Sequence, residues 1–132
     1  MNMGIQDAVD LSWKLDACLN GWGGAHLLES YTPERRPVAI RNVDEATGNL
    51  GRMRSPGENN ALLEDSPAGR AVRERLGKEF TEAMTREWHT LGIHLGYRYD
   101  DSPIVVPDGT PKPPLEVMVY DQTARPGARA PH

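Results

Sequence analysis

Two apolar stripes at helical spacing, and their abrupt end at Gly92, constrain this chain more than any other feature. In the first, Ala8, Leu11, Leu15, Cys18 and Trp22 recur at alternating three- and four-residue steps. That period predicts a helix over about Ile5–Leu19, ended by Asn20-Gly21 and by the Gly23-Gly24 break. A short apolar helix, Ala25–Tyr31, follows. Thr32 then reads as an N-cap, Pro33 as the first helical position and Glu34 as a first-turn acid. This second helix runs through Val38 and Ala39 towards Leu50, bent at Pro37, where a backbone N–H is missing.

In the second stripe, Val72, Leu76, Phe80, Met84, Trp88 and Leu91 mark a helix from Pro67 to about Thr90, opened by Ser66. Glu74/Lys78 and Glu82/Arg86 are i,i+4 pairs in the favourable acid-first order. Before it, Arg54–Ser66 is a loop rich in Pro, Gly, Asn and Asp around Ala61-Leu62-Leu63, with Glu58 and Glu64 in it. Beyond Gly92 the period becomes two. Ile93, Leu95, Tyr97 and Tyr99 alternate with His94, Gly96 and Arg98, which predicts a strand; Ile104–Val106 and Leu115–Tyr120 are two further candidates. The expected class is α+β and predominantly helical: three main helices plus a short β region.

The chain has 132 residues, enough for one domain with a modest core, and its 11 Pro and 13 Gly imply much loop. Its net charge of -4 argues against nonspecific nucleic-acid binding and against an anionic membrane surface. No apolar run reaches the roughly 18–20 residues of a membrane span, and the start does not read as a signal peptide. A cytoplasmic setting is expected. Cys18 is the sole cysteine, so no intrachain disulfide forms, and its place on the stripe reads as a small buried residue.

The usual chemical motifs are missing: no G-x-G-x-x-G, no P-loop and no C-x-x-C. His26, His89, His94 and His132 have no partner at metal spacing, so no metal is expected. The carboxylates read as solvated, and no acid–base pair stands out. No catalytic residue is assigned. Both ends look cut, since the helical pattern begins at Met1 and the motif-like string Arg125–His132 has nothing after it. The expectation is a fragment.

Met1–Leu15 is the informative stretch. It opens a helix, where backbone N–H groups are unpaired and the dipole is positive, and Asn2 and Gly4 allow close approach. Met-Asn-x-Gly-x-x-Asp-Ala-x-x-Leu-x-Trp-Lys-Leu resembles the helix that closes the flavin site in FAD-dependent aromatic hydroxylases, the single-component monooxygenases related to p-hydroxybenzoate hydroxylase. Leu27–Ala39 is similar to that family's L-L-x-x-Y-x-x-E-R-R-P-V-A. Leu95–Tyr99 with Val105–Gly109, and Ala124–His132, resemble the phenol and polyketide hydroxylase branch, in which the last string leads into a thioredoxin-like domain.

The resemblance implies FAD as cofactor, NAD(P)H as reductant, O2 as oxidant and a small phenolic or polyketide ring as substrate. It places the family's dinucleotide fingerprint, its middle D-G motif and its G-D motif before Met1. It implies that residues 1–91 complete a flavin domain and that 92–132 are strands and linker towards a thioredoxin-like domain. Backbone amides of Met1, Asn2 and Met3 would then face the flavin and bind it, stabilising negative charge at N1 and O2 on reduction. Asp7 would brace the dinucleotide-binding region. Trp13 and Lys14 read as packing and surface positions, and Glu34, Arg35 and Arg36 as an ion-pair cluster at a helix start. The parent protein would be an enzyme and the isolated chain inactive and prone to self-association. The competing reading is a non-catalytic helical structural or interaction module.

Overall fold

In the computed structural model, three long helices and one short one carry the regular structure. It describes residues 2–53 and 59–131. Met1, His132 and loop residues 54–58, Glu58 among them, lie outside the described residues, as does the Asn2 side chain.

Helix α1 spans Asn2–Leu19. Gly21, at φ 78°, turns the chain back, and the Trp22 and Gly23 amides both donate to the Ala17 carbonyl. Residues 25–30 form successive turns and not the expected short helix. Their backbone bonds are scattered single closures, Leu27 N to Gly24 O and Ser30 N to His26 O, with no continuous ladder. Helix α2 spans Tyr31–Arg52 with Ser30 at its N-cap, two residues before the expected Thr32 cap. The Ser30 hydroxyl donates back to the Leu27 carbonyl (2.7 Å), so it serves the preceding turn. A one-turn 3-10 helix, Asn60–Leu63, leads into α3, Pro67–Trp88. Ser66 caps α3 as expected, its hydroxyl accepting from the Gly69 amide at 3.0 Å.

The period-two stretch after Gly92 does not form a sheet. Leu91–Leu95 is a short helix, α4, and no strand occurs among the described residues. The α+β expectation is therefore corrected: the described fold is helical, followed by irregular chain. Alternation specifies a strand only where a neighbouring strand accepts its backbone bonds. Here His94 N and Gly96 N donate back to Thr90 O and Gly92 O. Pro107, Pro111, Pro113 and Pro114 remove donors from the following segment, so Ile104–Val106 has no ladder to join. Leu115–Tyr120 is also irregular.

That segment is pinned by helix side chains instead. Arg41 of α2 donates through Nη2 to the carbonyls of Gly92 (3.1 Å) and Glu116 (2.7 Å), and Ile93 N donates to Val117 O. Glu45 of α2 takes both arms of Arg86 of α3 (2.9 and 2.7 Å), which displaces the expected Glu82/Arg86 pair. Lys78 lies nearest Glu82, at 3.9 Å, instead of pairing with Glu74.

Burial inverts the expected stripe on α1. Its covered positions are Asp10, Lys14 and Ala17. Leu15 and Trp22 of the apolar stripe are exposed, and so are Ile5, Val9 and Trp13. On α3, Met84 is covered, whereas Phe80 and Trp88 are open to solvent. Buried apolar side chains reduce to Ala17, Leu27, Val38, Met84 and Val117 among the described residues. No helix among them is long and apolar enough to cross a membrane.

Close backbone approach makes a test. A Cβ at Gly92 would lie 2.0 Å from Glu116 O and 2.5 Å from Val119 O, both backbone atoms that cannot swing away. At Gly51, inside α2, it would meet open space. Gly92→Ala should lower the urea midpoint and expose 115–119 to protease, whereas Gly51→Ala should raise stability by about 0.5–1 kcal/mol.

Candidate flavin-facing helix and its charge network

The first turn of α1 carries no acidic residue, and a Cβ at Gly4 would meet nothing within 4 Å. The positive end of the helix dipole is thus neither neutralised by a carboxylate in its first turn nor covered at Gly4 by a described residue. Met3 is half-buried beside it. Of the expected flavin-facing residues, Asn2 begins the helix and Met3 follows within it, while Met1 lies outside the described residues.

Directly beneath, one face of α1 meets the start of α2 through charges. Gln6, Asp7, Asp10 and Lys14 recur at helical spacing on that face. Lys14, expected at the surface, is completely buried. Its ammonium bonds Asp10 Oδ2 at 2.7 Å and also Glu34 Oε2. The other Glu34 oxygen accepts from the Ser102 hydroxyl at 2.5 Å. The physical reason for the burial is the facing surface: the first turn of α2 presents Glu34 and Arg35, both covered, so the complementary face of α1 is its charged one.

Arg35 is the second knot. Nε donates to Asp7 Oδ1 (2.7 Å), Nη2 to Gln6 Oε1 (3.4 Å) and Nη1 to the Tyr99 hydroxyl (3.1 Å). Its guanidinium also lies 5.6 Å from the Tyr97 ring centre. Burial alone would lower the Arg35 pKa, but the bonds to Asp7 and Tyr99 outweigh it and hold the group above its ordinary range. Tyr99 passes a longer bond, 3.4 Å, to Asp10 Oδ1. Asp7 therefore pairs with α2, and Glu34 and Arg35 do form ion pairs, but across to α1. Arg36 is exposed.

The string near the C-terminus is docked on the same region. Arg125 Nη1 donates to Asp100 Oδ1 (3.0 Å), Arg98 holds the other oxygen (3.3 Å), and Tyr99 N donates to Gly127 O (2.9 Å). Gly127 has φ 82°, and a Cβ there would lie 2.9 Å from Tyr99 O. The long-range partners Tyr99 and Ser102 were missed from sequence, because hydroxyls in a loop carry no periodic signal.

Cys18 is half-buried and free, and no group of three or more His, Cys, Asp or Glu that could hold a metal occurs among the described residues. A hollow of about 80 Å³ lies between Tyr97, Arg98, Tyr120 and Arg129. Ligand sites for drug-sized molecules take about 300–1,000 Å³, so this hollow is too small for an aromatic substrate and a flavin.

Two measurements probe the network. Lys14→Met strands two buried carboxylates and should cost about 3–5 kcal/mol in urea unfolding; Lys78→Met, at an exposed pair, should cost under about 1 kcal/mol. Burial pushes Tyr99 from 10.0 up to about 12, against the opposing pull of Arg35. The fold favours the neutral phenol, so this contribution is complete below pH 10 and lost as pH rises to about 12. The urea midpoint should fall across that window, and Tyr99→Phe should flatten the fall.

Residues 1–46 match the FAD binding domain family. The chain is 35% identical over 137 residues to the FAD-dependent monooxygenase opdD of Penicillium oxalicum, covering all of this chain and 26% of that protein. It is 31% identical over 150 residues to phenol 2-monooxygenase of a Pseudomonas species, covering 99% of this chain and 24% of the enzyme. In structure it superimposes on RebC, the rebeccamycin biosynthetic enzyme solved with reduced flavin. That match has a TM-score of 0.82 and 41% identity, over 100% of this chain and 24% of RebC. The chain thus spans about a quarter of the length of these proteins. By sequence and by fold it is similar to one segment of the FAD-dependent monooxygenases.

Proposed function

We propose that this chain supplies the helical wall of a flavin site in an FAD-dependent monooxygenase that hydroxylates phenolic or polyketide rings. The observation that carries this reading is the open, acid-free N-terminus of α1, within the residues that match the FAD binding domain family. Bound FAD would supply the redox chemistry, taking two electrons from NAD(P)H so that one oxygen atom of O2 goes to the ring and the other to water.

The chain's own part is electrostatic. Backbone N–H groups at the start of α1, those of Asn2 and Met3, would face the pyrimidine side of the flavin. They are donors already oriented, so little reorganisation opposes charge developing at N1 and O2. Arg35, through Asp7 and Gln6, holds the second turn of the helix and so aims those donors.

Residues 1–91 complete the flavin domain in this reading. Residues 92–132 form a strap leading towards a thioredoxin-like domain. The exposed Ile5, Val9 and Trp13 face of α1 is covered by the remainder of such a protein, or by a second copy when the chain is alone. That same apolar face favours the second reading, a non-catalytic interaction module. The two separate by flavin spectrum.

The chain alone should show no hydroxylase activity and no stoichiometric yellow colour after gel filtration with FAD. Grafted in place of the matching quarter of RebC, it should restore bound FAD; a colourless, folded graft supports the module reading. In the graft, Asn2→Pro removes one N–H at a first helical position, where proline is tolerated. Losing a bond to a charged partner costs about 1–3 kcal/mol, which lowers the two-electron potential by about 20–65 mV. Asn2→Ala should shift it far less, with FAD stoichiometry as the control.

A further inference from the structure

We propose that Tyr99 is a positioning residue for the flavin-facing end of α1, acting through Arg35; this rests on the flavin-site reading above. Tyr99 lies where three parts of the chain meet. Its hydroxyl accepts from Arg35 Nη1 at 3.1 Å and donates to Asp10 Oδ1 at 3.4 Å. Its backbone amide donates to Gly127 O at 2.9 Å, and its carbonyl accepts from Ser102 N at 3.3 Å. Ser102 in turn holds Glu34, the carboxylate facing Lys14.

The geometry makes Arg35 a fork with three tines. Two of them, Nε and Nη2, reach Asp7 and Gln6 in the second turn of α1. The third, Nη1, is held, among the described residues, by Tyr99. A planar guanidinium is fixed in orientation only when its separate edges are held. Without the Tyr99 hydroxyl, the guanidinium is held from one side only, by Asp7 and the longer bond to Gln6, and the α1 terminus loses one fixed reference. Asp10 loses a donor at the same stroke. The Tyr97 ring lies tilted at 43° to Tyr99 (5.7 Å) and 5.6 Å from the Arg35 guanidinium, and among the described residues no hydrogen bond of its hydroxyl takes part in the network.

A structural link follows from the same contacts. The turn at 125–128, through Gly127 O, and the first turns of α1, through Arg35, share one residue. Movement of the docked C-terminal string is thereby transmitted to the donors facing the flavin.

The experiment uses two readouts. In the 132-residue chain, amide hydrogen exchange is followed in unaltered protein, Tyr99→Phe and Tyr97→Phe. Tyr99→Phe should speed exchange about tenfold at Gln6–Asp10 while leaving α3 unchanged, and Tyr97→Phe should leave both unchanged. In the FAD-loaded RebC graft, the two-electron potential is measured for the same set and for Arg35→Lys, which keeps the charge but not the fork. Tyr99→Phe and Arg35→Lys should each disfavour the reduced flavin about tenfold, close to 30 mV, at unchanged FAD stoichiometry. Faster exchange in α1 with an unmoved potential would make Tyr99 structural only and overturn the positioning role. Equal shifts for Tyr97→Phe would overturn it too. A graft that folds without FAD, before any substitution, overturns the flavin-site reading and this one with it.

Discussion

The Lys14 ammonium, sealed between Asp10 and Glu34, is the contact on which the arrangement of helices depends. A buried cation must be met by anions at close range, or its desolvation outweighs anything packing returns. Two carboxylates from different helices meet it here, and each is itself bonded further, Asp10 to Tyr99 and Glu34 to Ser102. The demand for partners therefore spreads outwards until it has recruited α1, α2 and the loop at 97–102. With so few apolar side chains covered, this polar centre, and not an oil-like core, dictates how α1 lies against α2.

Much of this was legible beforehand, for local reasons. The caps, glycines and stripes that delimit α1 and α3 act within a few residues, so sequence reports them directly. The tandem blocks Met1–Leu15 and Leu27–Ala39, which carried the flavoprotein resemblance, supply the residues that meet in the network: Gln6, Asp7, Asp10 and Lys14 from the first, Glu34 and Arg35 from the second. Which face of α1 points inwards was not legible. An apolar stripe says that a face is to be covered, but not by what; in this chain α2 offers charges, so the polar face turned in and the apolar one stayed out. The strands failed for a comparable reason. Period-two alternation at 93–99 is a necessary condition for a strand, and the missing ingredient, a pairing neighbour, lies outside any local window.

The N-terminal end of α1 is built economically. Nothing in its first turn is a charged side chain, so its chemistry is that of the peptide unit. Arg35, Asp7 and Tyr99 do not face the open end of the helix, yet they set the direction in which its amides point.

An apolar seam between helices is tolerant: oily side chains slide, and a helix displaced along its neighbour still finds something to touch. The seam between α1 and α2 has no such freedom. One turn of slippage is about 5.4 Å, enough to part Lys14 from Glu34 and Arg35 from Asp7 at once. The interface thus behaves as a keyed joint, with a single seated position and steep walls on either side. Such a joint makes the helices hard to shift once joined. Substitutions along it should be accepted in matched sets, with charge exchanged on both sides of the seam together.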